Sequence, residues 1–135
     1  MRYLNEKMKY LISKFVKASF EETLLNLKKE LGNEEFIVLS ELDLKDILNE
    51  KLEVEIGNHK ILSIFNPAIV YKGLTVDRDI SVMFPFSMAV RELKGGRIRI
   101  CVINYSIAMR FFSGNDLIAA ASATTNKLKR ILSKL

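Results

Sequence analysis

Apolar and polar positions change rhythm several times along this chain, and each change marks an element. Residues 9–16 (Lys-Tyr-Leu-Ile-Ser-Lys-Phe-Val) read as a strand. Ser19-Phe20-Glu21-Glu22 has the form of a capping box, in which Ser19 accepts from the third helical amide and Glu22 reaches back. The helix it opens carries Phe20, Leu24, Leu27 and Leu31 on one face, and Gly32 offers a C-terminal stop. Residues 35–41 read as a second strand. Asp43 then caps a short helix through Leu52, with Leu44, Ile47, Leu48 and Leu52 expected to face inward. Residues 60–66 form a third strand. Asn66-Pro67 turns the chain into another short helix, because proline is preorganised for the first helical position.

The clearest pair of strands is 80–93 with 97–104, joined at Gly95-Gly96. A two-glycine loop sets Lys94 against Arg97, Glu92 against Arg99, Val90 against Cys101 and Ser87 against Asn104. Alternation puts Ile80, Val82, Phe84, Phe86, Met88 and Val90 toward the helices and Ser81, Met83, Pro85, Ser87 and Ala89 on the other face. Pro85 lies inside this run, although a proline has no amide to give a sheet. The last helix starts at about Asn115 or Asp116 and runs to Leu135, with Leu117, Ala121, Leu128, Ile131 and Leu132 as its buried stripe. The element order argues α+β: a largely antiparallel five-stranded sheet with two long helices on one face plus two short helices. A sheet face open to water normally carries charge. Here it is small and semi-apolar, with Ser81, Met83, Ser87, Ala89 and Val102 expected on it, so a partner surface or a segment of the same chain should cover it.

A length of 135 residues with 49% hydrophobic and 27% charged side chains suits one globular domain, 1–135. The longest uncharged stretches fall short of the roughly 20 residues that span a bilayer, and no signal peptide is evident. We expect a cytoplasmic protein without membrane contact. One cysteine and one histidine exclude an intrachain disulfide and argue against a metal site; no cofactor is expected. The absence of glutamine and tryptophan, with abundant lysine and glutamate, is a thermophile tendency. Charge is uneven: about +4 over residues 1–18, about −7 over 19–59 and about +8 over 60–135. Such asymmetry suits an anionic partner, or two copies meeting through opposite patches.

Several segments share one further pattern. Phe20-Glu21-Glu22-Thr23 is followed by Leu-Gly and a Phe-containing strand, and then by Leu39-Ser40-Glu41-Leu42-Asp43-Leu44-Lys45. Lys60-Ile61-Leu62-Ser63-Ile64-Phe65-Asn66-Pro67 is similar to a "K-I-L-G-x-C-N-P" segment, Phe84–Val90 to "L-P-C-N-V-V-V", and Arg97–Met109 to a last strand ending in "D-P-x-x-M". In order and spacing, over about residues 8–135, these resemble the domain of unknown function 302 family. The resemblance implies a β-α-β(4)-α fold like that of the TATA-box-binding protein. It also marks departures: Phe65 and Phe86 stand at the family's cysteine positions, Ser87 at an asparagine, and Asn104-Tyr105 at the Asp-Pro pair. Any thiol, metal or redox role of those cysteines cannot operate here.

Candidate chemistry is sparse. Cys101, mid-strand opposite Val90, reads as a buried core thiol, since a reactive one needs exposure and a lowered pKa. His59 follows Gly57-Asn58 at a turn with no partner fixed by sequence. The acidic pairs sit at helix starts and loops, where dipoles explain them. Arg91, Lys94, Arg97 and Arg99 crowd the hairpin tip, but Glu92 is expected to neutralise Arg99 and flanking aromatics for base stacking are missing, which argues against nucleic acid. The remaining constellation is Asn66, Ser87 and Asn104, with Tyr105 beside it. It reads either as a ligand-binding site or as a helix cap plus a cross-strand bond. The function expected is a non-catalytic homodimer binding a small ligand or protein partner on the sheet face opposite the helices, with no catalytic residue. The alternatives are a small enzyme built on Asn66, Ser87 and Asn104, and a nucleic-acid binder using the basic hairpin.

Overall fold

The computed structural model describes residues 10–109 and 115–135, apart from the side chains of residues 115 and 116. Lys9 of the first strand and the caps expected at Asn115 or Asp116 lie outside that description. The elements are β1 (Leu11–Val16), α1 (Phe20–Asn33), β2 (Ile37–Asp43), α2 (Leu44–Leu52), β3 (His59–Phe65), α3 (Pro67–Val76), a 3-10 helix (Arg78–Met83), β4 (Phe86–Glu92), β5 (Ile98–Ile103), α4 (Tyr105–Ala108) and α5 (Asn115–Ser133). The five strands form one antiparallel sheet in the order β1-β5-β4-β3-β2. This is the α+β architecture expected from the order of elements.

The inner sheet face presents Ile12, Val16, Leu62, Ile64, Phe86, Met88, Val90, Ile98, Ile100 and Val102, all buried. The two long helices close over it with Phe20, Leu24, Leu27 and Leu31 of α1 and Leu117, Ala121, Leu128, Ile131 and Leu132 of α5. Ser19 caps α1 through the Glu22 amide at 3.1 Å. Its C-terminus is not at Gly32. The helix continues to Asn33, and Glu35 takes the left-handed turn at φ 66°. The Phe36 amide then donates to the Leu31 carbonyl at 2.9 Å and the Glu35 amide to Gly32 at 3.0 Å. This is a Schellman ending with a glutamate where glycine is usual, held by buried Phe36 against Leu31. Glu34, between them, binds Arg130 at 3.0 Å and Lys127 at 3.6 Å, which ties the end of α1 to α5.

Three further expectations fail, each for an identifiable reason. Residues 80–93 are not one strand: the run begins as the 3-10 helix and enters the sheet only at Phe86. Asp77 caps that helix through the Asp79 amide at 2.9 Å, and the cis Phe84–Pro85 bond lies between the two elements, where no ladder amide is required. Val82 is therefore 78% exposed rather than turned toward the helices. Asp43 does cap α2, through Asp46 at 3.2 Å, but the helix buries no residue, and Ile47 and Leu52 are exposed. Its period matched a core helix, yet it packs at the margin of the sheet against β3.

The third failure has the widest consequence. The β4–β5 loop has three residues, because the Leu93 amide donates to Arg97 at 2.7 Å and closes around Lys94, Gly95 and Gly96. Both glycines lie at φ +90°, a region other residues seldom enter. The register is thus one residue from that of a two-glycine loop: Val90 faces Ile100, Ala89 faces Cys101 and Arg91 faces Arg99. A slip of one residue exchanges the faces of a whole strand. Cys101 accordingly leaves the core and lies half-buried on the outer face, while Val102 turns inward and is buried.

Candidate functional site

The four residues singled out from the sequence take different positions. Asn66 is buried and caps α3: its Oδ1 accepts from the Ile69 amide at 3.2 Å, and its Nδ2 donates to the Glu34 carbonyl at 3.1 Å. Asn104 caps α4, accepting at Oδ1 from the Ser106 amide at 3.1 Å, while its own amide donates to Tyr10 at 2.8 Å. Tyr105 is buried with its ring centroid 4.0 Å from that of Phe86. Burial pushes its phenol up to about 12, and a backbone hydrogen bond from Ser87 pulls weakly the other way. Ser87 is exposed on the outer face opposite Ser63. The structure brings Tyr105 to the Ser87 backbone, while Asn66, just past the end of β3 and beside the start of β4, is tied to Glu34. The register does not set Ser87 against Asn104, because Met88 already faces Val102.

Sequence reasoning missed the partners of Asn104. Thr125, buried on α5, donates to Asn104 Oδ1 at 3.3 Å and accepts from Ser106 Oγ at 2.9 Å. This knot joins the end of β5 to the last helix, and its signal was weak: a Thr-Thr pair in an otherwise apolar stripe. Among the described residues no buried side-chain nitrogen or oxygen lacks a partner, and no cluster of three metal-ligating side chains occurs. No described helix is long and apolar enough to cross a membrane.

The outer sheet face is different. Across all five strands one row reads Ser13, Cys101, Ala89, Ile61 and Leu42. Beside it run Ser40, Ser63 and Ser87, and no charged side chain interrupts either row. The centre of this face is small and semi-apolar, as expected, although Val102, Ser81 and Met83 do not contribute to it. At one end a cleft of about 340 Å³ is lined by Tyr10, Leu11, Met83, Ile103, Asn104 and Ile107 among others.

The opposite end is basic. Phe15 faces Arg99, Arg99 faces Arg91 and Arg91 faces His59. The guanidinium carbons of Arg97 and Arg99 lie 4.6 and 4.7 Å from the centroid of the Phe15 ring. Glu92, expected to neutralise Arg99, instead faces Ile98 and accepts from Asn58 Nδ2 at 2.9 Å. Among the described residues no carboxylate lies within 4 Å of Arg91, Arg97 or Arg99. An aromatic ring does flank the hairpin, contrary to expectation, but its contacts are with two guanidinium groups. His59 is partly buried, and desolvation together with the charge on Arg91 holds its imidazole below the usual range.

Known proteins agree with this architecture. The family described as domain of unknown function DUF302 matches residues 12–135, and the chain belongs to it. The crystal structure of an uncharacterized conserved DUF302 protein from Bacillus stearothermophilus superimposes with a TM-score of 0.85 at 20% sequence identity, covering 92% of this chain and 96% of that one. At that identity the likeness concerns the fold. No curated protein matches. The family's description indicates no specific function.

Proposed function

We propose that this DUF302 member is a non-catalytic binding domain, working as a cytoplasmic homodimer, that receives its ligand on the outer face of the sheet. One observation carries the reading: the row from Ser13 to Leu42 crosses the whole sheet without a charge, where water-facing sheets normally display charge. The arrangement of Asn66 and Asn104 supports it from the other side. Their side chains are engaged in caps and in the Thr125 knot rather than converging on a pocket, as an enzyme built around them would require. We read the fold as of the TATA-box-binding-protein kind, a likeness that does not itself imply DNA binding. The exposed apolar side chains Ile37, Leu39, Leu42, Ile47 and Leu52 on β2 and α2 favour self-association along that edge.

Two measurements test the reading. Native mass spectrometry of protein purified from its own host should show a bound mass that Ala89→Arg removes while the melting temperature stays near that of the parent. An adduct indifferent to Ala89→Arg would place the ligand elsewhere. Light scattering should give a dimer, and Leu39→Lys with Ile47→Lys a folded monomer. A parent chain that is monomeric at tens of micromolar would remove the dimer from the proposal.

A further inference from the structure

The two ends of the outer face are chemically opposite, and a single kind of molecule satisfies both. At the basic end, Arg91 and Arg99 stand directly across from each other in the ladder, an arrangement of like charges that disfavours folding. Arg97 joins them over the Phe15 ring, and no described carboxylate neutralises the group. A hollow of about 290 Å³ at the same end of the sheet is lined by Lys17, Ala18, Gly95, Gly96 and Arg97. Guanidinium groups are forked donors matched to oxyanions, and three of them suit a dianion better than a single carboxylate. The four residue-to-residue steps from Phe15 to Leu11 cover roughly 13 Å. At the far end Leu11 and Ile103 face each other and border the apolar cleft. Between the ends, Ser13, Cys101 and Ala89 form a low floor.

We infer that the outer face binds an amphiphilic phosphate ester, its phosphate held by Arg91, Arg97 and Arg99 and its apolar chain lying across Cys101 and Ala89 into the cleft beside Leu11 and Ile103. This rests on the reading of the outer face as the binding surface, and supplies the chemistry of the ligand. The phosphate end accounts for a like-charge row that costs stability. The chain end accounts for an apolar cleft at a sheet end where no other part of the described protein fills it. Nucleic acid fits less well: the nearest aromatic ring is already engaged by two guanidinium groups, and the floor beyond them is apolar rather than basic.

The test uses the whole chain and calorimetric titration with decyl phosphate below its micelle concentration, inorganic phosphate, decanoate and decanol. Decyl phosphate should bind at least about tenfold more tightly than any of the other three, since each lacks part of one end. Arg91→Gln with Arg99→Gln should weaken decyl phosphate by about tenfold or more and steepen no salt dependence. Ile103→Asp should weaken decyl phosphate and leave inorganic phosphate unchanged. Decyl phosphate that binds no better than inorganic phosphate, or that ignores the arginine substitutions, would overturn the inference. If decyl phosphate fails while the host-derived adduct is still lost in Ala89→Arg, the ligand class falls and the binding face stands. If the adduct also survives Ala89→Arg, the face itself is wrong. A short oligonucleotide that binds more tightly than decyl phosphate, through the same arginines, would replace the ester with nucleic acid.

Discussion

Phe86 and Ser87 are consecutive residues on opposite faces of one strand, and the two faces follow different rules. On the inner face Phe86 meets Phe36, Phe84 and Tyr105, with ring centroids 6.4, 5.2 and 4.0 Å away. Among the described residues the buried side-chain nitrogens and oxygens all have partners. On the outer face Ser87 pairs with Ser63 across the ladder, and two rows away Arg91 and Arg99 oppose each other with no described carboxylate within 4 Å. A face optimised for stability does not set like charges side by side. The contrast locates stability inside and leaves the outer face free to be shaped by something else.

The largest expected effect contrasts Phe86 with Phe65, which lie on opposite faces of the sheet. Phe86 is buried, and Phe86→Ala should cost about 3–5 kcal/mol. Phe65 lies half-buried on the outer face opposite exposed Ile37, so Phe65→Ala should cost about 1 kcal/mol or less. Denaturant midpoints of the two variants check this. Equal losses would mean that the outer face is as tightly packed as the inner one.

How much of this was legible in the sequence depended on how far each signal reached. Local signals read correctly: the Ser19 and Asp43 caps, Pro67 at the start of α3, and the inward stripes of α1 and α5. The α+β class followed from them. What failed was decided by tertiary context or by one residue of spacing. Alternation through Ile80, Val82 and Phe84 has the period of a strand, but Asp77 starts a 3-10 helix instead. Gly95-Gly96 fits both a two-residue and a three-residue loop, and the longer one moved Cys101 outward and parted Glu92 from Arg99. The arginine row was visible as a charged hairpin tip. That no described carboxylate neutralises it was not, because the wrong register supplied one. Asn66 was legible as a cap, whereas Asn104 was read as the partner of Ser87 and instead caps α4, and its link to Thr125 spans 21 residues and leaves no local pattern.

Tyr105 offers a test of the inner face by pH. Unfolded, its phenol ionises near 10.0; folded, near about 12. Between those values the unfolded chain holds fewer protons, so stability falls as pH rises from 10 toward 12. The loss should reach at most roughly 2–3 kcal/mol. Tyr105→Phe should abolish that part of the alkaline slope, read as the difference in denaturant midpoint between parent and variant. A slope unchanged by the substitution would mean that the hydroxyl is reached by water.

The capping residues give the next contrast. Asn66→Ala removes the acceptor of the Ile69 amide and the donor to the part-buried Glu34 carbonyl, and should cost about 2 kcal/mol. Ser87→Ala, on the outer face, should change stability by less than about 0.5 kcal/mol. If Ser87→Ala proved the more damaging, the division between the faces would be wrong at the strand where it was drawn.

The smallest expected effect has the opposite sign. Arg91 faces Arg99 directly, and its charge also disfavours protonation of His59 across the β3–β4 ladder. Arg91→Thr removes the like-charge pair and puts a β-branched residue with good strand propensity on an exposed site. The folded state should therefore gain about 0.2–1 kcal/mol at low salt, and the gain should shrink as salt screens the repulsion it relieves. The His59 imidazole should move back toward its ordinary range, which proton NMR can follow without ambiguity because the chain has one histidine. Decyl phosphate binding should weaken in the same variant. A substitution that raises stability while lowering affinity separates a surface kept for binding from one kept for folding. If Arg91→Thr instead destabilised the protein, Arg91 would be held by a favourable contact in the free chain, and the like-charge row would no longer point to an absent anion.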